Sequence, residues 1–351
     1  MDLNEFVTQD KAELIEQIAR MEKSREDAHH RRKTAERLTA KLQDDLDHAN
    51  QQLDELAVLK GLEDVTPPPW LEAPSVNAVN KATPFLVLSD LHLDEKVDLV
   101  EMDGQNEYSR QIAEDRFAAV IDGTIELCDR YVDGVEFDGI IAALAGDIIT
   151  GIIHDELAET NEATIPETIM HWAPILASGI SRLADYFGNV FVPCVDGNHD
   201  RMYKKMRMKK RSVSSYSWII YNSIAMLTAD DDRIDVHVSR SPEYLFNVYG
   251  TRFLLDHGDK FRGGGGIGGI YPSMLKWVGR KRQVPGREFD YAVVGHWHQL
   301  IYHSDIIVNG SLKGFDEYAR AQGFRFERPQ QALFFVTPEN GITMRTQVFA
   351  N

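Results

Sequence analysis

Apolar positions in the first sixty residues recur in alternating steps of four and three. Leu14, Ile18, Met21, Ala28, Ala35, Leu42, Leu46, Ala49, Leu53 and Leu56 fall on one stripe. Arg25, Arg32 and Thr39 interrupt it, and neither Gly nor Pro occurs between residues 1 and 60. A seam sustained over several heptads predicts an α-helical coiled coil over 1–60, and with it self-association as a homodimer. Residues 61–84 break the pattern. Pro67, Pro68 and Pro69 mark this stretch as a stiff, extended linker.

From Phe85 onward the period changes. Short apolar runs at 85–89, 139–145, 190–195, 252–256, 290–294, 305–308, 331–336 and 342–348 read as buried strands. Amphipathic stretches at 109–132, 164–187, 213–227 and 271–279 read as helices. Their alternation predicts an α/β catalytic domain over 85–351, with helices flanking sheets and a mixed or antiparallel second half.

The polar residues that follow these strands carry the chemistry. FLVLSDLH ends in Asp90 and His92, IIAALAGD in Asp147, and VFVPCVDGNHD in Asn198, His199 and Asp200. FLLDHGD carries His257 with Asp256 and Asp259 beside it, and YAVVGHWH carries His296 and His298. Ligands bind in open α/β folds beyond the carboxyl ends of strands. Five such ends meeting would gather seven N and O donors around one pocket, enough for a pair of divalent cations. Such a pair activates a water as nucleophile and stabilises the oxygens of an in-line displacement at phosphorus. Mixed imidazole and carboxylate donors favour manganese, with iron, zinc or nickel as alternatives and magnesium less suited.

The ordered blocks D-x-H, G-D, G-N-H-D, H-G and G-H-x-H resemble the calcineurin-like metallophosphoesterase signature over roughly Pro84 to Phe349. That resemblance implies a β-sandwich flanked by helices. It implies that Asp90, His92 and His298 hold one metal, that Asn198, His257 and His296 hold the other, and that Asp147 bridges them. His199 would protonate the leaving oxygen or stabilise the phosphorane, with Asp200 orienting its ring. The segment VNGSL (308–312) is similar to a strand-to-turn element near the end of such domains. One position departs: Thr150 stands where the family often has Asp or Asn; Thr150 could still hydrogen-bond, or His154 and Asp155, which follow closely, could fill that role.

Charge then narrows the substrate. The formal net charge is −17, which disfavours a chain coated in positive potential. Yet RMYKKMRMKKR (201–211) follows the G-N-H-D block directly, and KWVGRKRQVPGR (276–287) precedes the G-H-x-H strand. Lys204, Lys205, Arg207, Lys209, Lys210, Arg280, Lys281 and Arg282 are therefore expected to bind substrate phosphates, as in sequence-independent nucleic-acid binding. The glycine run Gly263–Gly269 could close over a phosphate through its N–H groups. Within the family, the motif form is similar to SbcD-type DNA-repair exonucleases, which are dimeric. Those proteins usually carry extra capping elements, and this chain ends soon after its last strands, which fits a stand-alone prokaryotic or phage nuclease. The expected activity is cleavage of DNA phosphodiester bonds. A phosphatase or a small-molecule or cyclic-nucleotide phosphodiesterase is the alternative. Two isolated cysteines, Cys128 and Cys194, a charged N-terminus and no bilayer-length apolar run predict a cytoplasmic protein without disulfides or membrane association.

Overall fold

In the computed structural model, the chain divides at Val65/Thr66 into two units. The structure describes residues 67–72, 80–261 and 269–350, all in the second unit. The expected coiled coil and Gly263–Gly268 lie outside the described residues.

Two sheets face one another. The first has the order β11-β10-β1-β2-β3-β4. Its strands are β1 (Thr83–Leu88), β2 (Ile140–Leu144), β3 (Val190–Cys194), β4 (Ile234–Val238), β10 (Gln330–Thr337) and β11 (Gly341–Phe349). The second has the order β5-β6-β7-β9-β8. It is built from β5 (Glu243–Val248), β6 (Thr251–Asp256), β7 (Tyr291–Val294), β8 (Ile301–Tyr302) and β9 (Ile306–Val308). β1 to β4 run parallel, as do β6, β7 and β9, while β5, β8, β10 and β11 pair antiparallel.

The two-residue period of a strand explains why these segments are apolar throughout. In β1, Phe85 and Val87 point into the core between the sheets, where they meet Phe253, Leu255, Val293 and Phe334. Leu86 and Leu88 point the other way. That outer face is covered by α1 (Arg110–Tyr131), α3 (Ile165–Phe187) and α4 (Tyr216–Leu227). On the second sheet, Leu254, Ala292, Val294, Ile306 and Val308 pack under α5 (Tyr271–Arg282) with Trp277 and Phe261. Short helices α2 (Asp155–Thr160) and α6 (Glu317–Ala321) lie in connections. Helix α3 opens on a capping box, with Thr164 N donating to Glu167 Oε2 at 2.9 Å.

The architecture is the expected mixed α/β arrangement of two sheets with helices. Three strands escape the sequence pattern. β4 and β5 are only partly buried and mix polar with apolar residues, and β8 has two residues. Part of the expected linker is also not a spacer. Pro69–Leu71 forms a 3-10 turn, Leu71 is buried in the inter-sheet core, and Tyr249 N donates to Leu71 O at 2.9 Å.

Candidate metal centre

Parallel neighbours end on the same edge. β1, β2 and β3 are adjacent in one sheet and β6 and β7 in the other, so all five motif-bearing strands deliver their carboxyl ends to one rim. The donors gather there in two groups. Asp90, His92 and His298 form one, and Asp147, His257 and His296 the other, with the donor atoms of each group within 4.8 Å of one another. Asn198 Oδ1 joins the second group, 3.0 Å from His257 Nε2.

The backbone bends sharply to achieve this. Asp90, His92, Asp147, His296 and His298 all have positive φ, between 46° and 71°. Non-glycine residues rarely adopt this region, and each costs about 1–3 kcal/mol that surrounding structure must offset. Hydrogen bonds do so. His296 N donates to both Asp90 oxygens at 2.9 Å, and Ser311 Oγ and Leu312 N donate to Asp90 O. Asn309 Nδ2 donates to Ser89 Oγ at 2.9 Å, so the VNGSL turn braces the loop after β1. Two motif glycines are needed for close approach. A Cβ at Gly197 would collide with the Asp147 carboxylate, and one at Gly295 would collide with Asp90 and Ser89.

Hydrogen bonding also sets which ring nitrogens face the pocket. His257 Nδ1 lies 2.8 Å from Ala145 O, which can only accept, so Nδ1 carries a proton and Nε2 is the nitrogen that faces the pocket, 3.0 Å from Asp147 Oδ2. Burial would lower the His257 pKa, but the Asp147 carboxylate outweighs it and raises it to about 10. His92 Nε2 and His298 Nε2 face each other at 3.1 Å, and His298 Nε2 lies 3.3 Å from Asp90 Oδ1. Burial disfavours charge on Asp147, but His257 outweighs it and holds the carboxyl well below the usual range. Burial likewise disfavours charge on His296, lowering its pKa to about 4. Buried lone pairs converging on two points, with two carboxylates among them, form a set that a pair of divalent cations would satisfy.

His199 stands beside both groups. Its ring centroid is 4.8 Å from that of His92, its backbone N–H donates to Asp147 Oδ1 at 2.7 Å, and its ring Nδ1 lies 3.1 Å from Thr150 O. That last contact fixes the proton on Nδ1 and leaves Nε2 uncommitted. Burial lowers its pKa to about 3.

Asp200 does not orient this ring. It is fully buried and accepts from the backbone N–H groups of Asp147 (2.8 Å), Ile149 (3.2 Å) and Gly197 (3.0 Å). It therefore ties the G-D loop to the G-N-H-D loop, and Thr150 O takes the role assigned to it. Of the two alternatives for support at this position, Thr150 itself makes the bond: its Oγ1 donates to Glu95 Oε2 at 2.9 Å. His154 lies 5.8 Å from His199 between ring centroids, and Asp155 is an exposed partner of Lys204.

Sequence reasoning missed Glu95 and Lys313. Glu95 Oε2 lies 3.1 Å from His92 Nδ1, without the alignment of a hydrogen bond, and Glu95 Oε1 accepts from buried Lys313 Nζ at 2.7 Å. Burial would raise the Glu95 pKa, but the Lys313 ammonium and His92 hold it well below normal. The only local signal was acid spacing after the D-x-H block; the partner lies 218 positions away.

The two basic stretches diverge. Gly197, Asn198, Arg201, Tyr203, Lys205 and Arg207 line a cleft at the second donor group. Arg207 stacks over Tyr203 at 3.5 Å, and Lys209 and Lys210 are exposed nearby in sequence. Lys281 and Arg282, by contrast, are not available as expected. Lys281 pairs with Glu243, and Arg282 with Asp305 at 2.7 Å and with the carbonyls of Phe289 and Asp290. These bonds hold α5 to the second sheet. Arg280 is exposed on the same helix. Trp297 packs, stacked on Phe261 at 5.4 Å.

No family model and no curated protein matches the chain. Among solved structures it is similar to vacuolar protein sorting 29 from Cryptosporidium parvum, at 11% identity over 76% of this chain and 98% of that one, with a TM-score of 0.30. It is similar to a dimetal phosphatase from Danio rerio at 10% identity over 77% and 99% of the two chains (TM-score 0.30). A putative 5'-nucleotidase from Staphylococcus aureus aligns at 10% identity over 77% of this chain and 54% of that one (TM-score 0.32). Likeness this distant carries no weight beside the donor geometry. No helix among the described residues is long and apolar enough to cross a membrane.

Proposed function

We propose that this chain is a dinuclear metal-dependent phosphoester hydrolase that cleaves DNA phosphodiester bonds, with manganese as the preferred ion. The observation that carries the hydrolase reading is the pair of donor groups, buried Asp90 and His92 with half-buried His298 beside buried Asp147 and His257 with half-buried His296 and Asn198, at one rim of two sheets. Asp147, central among them, would be shared. Two divalent ions held there would supply Lewis-acid stabilisation of phosphoryl charge and an activated water. The protein's own groups do the rest. His296 is held neutral by burial, and cation binding would displace the Nε2 proton of His257, so that both rings offer neutral nitrogens and leave room for an anionic phosphate. His199, with Nδ1 committed to Thr150 O, offers Nε2 to the leaving oxygen. Asp200 keeps Asp147 and Asn198 in register through the two loops it ties. The Arg201–Arg207 cleft beside Asn198 supports a substrate that continues beyond the scissile phosphate.

A second reading, a phosphatase or small-molecule phosphodiesterase, is favoured by the net charge of −17 and by the internal pairing of Lys281 and Arg282. A substrate panel with manganese separates the two: mononucleotides, cyclic nucleotides, single-stranded and duplex DNA, phosphopeptides and bis(p-nitrophenyl) phosphate. Under the nuclease reading DNA is cut; intact DNA beside hydrolysed chromogenic diester would select the second. His199→Ala should retain metal by elemental analysis and lose about a hundredfold or more in kcat. Asp147→Asn should lose both metal and activity.

A further inference from the structure

Resting on the nuclease reading, we propose that Tyr318, Phe324 and Phe326 form a stacking platform for unpaired nucleobases, so that the substrate is single-stranded DNA. Three large aromatic side chains stand exposed within nine residues of chain, at 66%, 47% and 47%. Exposing one such ring is ordinary, but a cluster marks a contact surface. The rings hold one another in place. Tyr318 and Phe324 meet edge to face at 6.1 Å, and Phe326 meets the partly buried Phe315 at 5.5 Å.

The segment is tied to the metal centre. Asp316 Oδ2 lies 2.5 Å from Lys313 Nζ, whose other partner is Glu95 beside His92. Glu327 Oε1 accepts from Leu300 N, two residues past His298, at 2.7 Å. The acids of the segment are thus turned inward, and Glu317 is likewise spent on the N–H of Asp98. Arg320 is engaged with Asp103, while Arg325 and Arg328 stay at the surface, Arg328 over the ring of Phe349 at 4.4 Å. Outward rings interleaved with outward arginines match a strand of bases and phosphates and not an apolar partner face. The segment that carries the platform is tied to the His92/His298 group, whereas the basic cleft includes Asn198. A strand reaching from the cleft past both donor groups to this segment would meet cations at one end and rings at the other. In a duplex the bases are already stacked on each other, and the rings would find no free base face.

The test measures binding of fluorescein-labelled oligo(dT) and of a labelled duplex to the full-length protein by anisotropy, in calcium to avoid cleavage. Phe324→Ala/Phe326→Ala should weaken oligo(dT) binding by about tenfold or more, and Phe324→Trp/Phe326→Trp should restore it. Duplex binding should be weaker and little changed. Matching melting temperatures check that the variants fold. Unchanged oligo(dT) affinity, or an equal loss on duplex, would overturn the platform. So would a shift in oligomeric state at unchanged DNA affinity, since the rings would then serve contact between proteins. Cleavage of oligo(dT) by the parent in manganese tests the nuclease reading separately: bound but uncut DNA would sink that reading and leave the platform standing.

Discussion

Two basic stretches without an acidic residue, Arg201–Arg211 and Lys276–Arg287, meet opposite fates. In the first, Lys205 and Arg207 line a cleft at Asn198, and Lys209 and Lys210 reach solvent. In the second, Lys281 and Arg287 converge on Glu243 and Arg282 reaches Asp305, acids 38, 44 and 23 positions away. The first stretch contains its own exceptions: Lys204 pairs with Asp155 at the surface, and Arg211 is the second. Arg211 is buried between Asp196 (2.6 Å) and Asp259 (2.8 Å), which fixes the loop's end to the second sheet. A run of like charge therefore becomes an attractive surface only where the fold brings it no counter-charge. Those residues that find acids become staples.

Four variants sharpen that contrast, ordered by expected effect. Arg211→Ala should be the most disruptive, because it strands two buried carboxylates; a loss of about 3–5 kcal/mol in chemical denaturation is expected. A loss below about 1 kcal/mol would show that Arg211 is not a staple. Next, the charge reversal Lys205→Glu/Arg207→Glu should raise KM for oligonucleotides by about tenfold or more and flatten the salt dependence of binding by roughly two in slope, since two phosphate contacts go. It should leave global stability nearly unchanged. If hydrolysis of bis(p-nitrophenyl) phosphate fell equally, the cleft would be serving the metal centre and not a longer substrate. Arg282→Ala should cost about 1 kcal/mol, the scale of a partly exposed pair, with no change in DNA affinity. Arg280→Ala, on the same helix but exposed, should alter neither measurement beyond scatter. A marked loss of DNA binding with Arg280→Ala or Arg282→Ala would erase the distinction between the stretches.

The same lesson runs through the centre itself. The strands that carry donors were legible because each is a short run apolar on both faces, sandwiched between a second sheet and a helix layer. A motif at the end of such a run stands out. Strands β4 and β5 were not legible, because an edge strand with mixed exposure has no such signature. The role first given to Asp200 went astray for a related reason. Adjacency to His199 in sequence suggested a partner, while the turn after β3 points Asp200 inward to three backbone N–H groups and leaves His199 to Thr150. Glu95 and Lys313 form the largest gap. Each looks like an ordinary surface charge in the chain, and only their meeting inside the protein makes them a brace for His92.

By itself the sequence determined residue types and local periods. These include the apolar alternation that makes strands, the order of Asp, Asn and His at their ends, and the glycines that let two of those loops touch. Such features depend on neighbours one to four positions apart, so they survive in a one-dimensional reading. Tertiary structure alone decided which nitrogen of each histidine faces the pocket, which lysines and arginines remain open to an anion, and which carboxylates act on metal donors and which on backbone. Each of these turns on hydrogen bonds and ion pairs between groups tens to hundreds of positions apart. Their strength falls steeply with distance and alignment, and neither can be read from the order of residues.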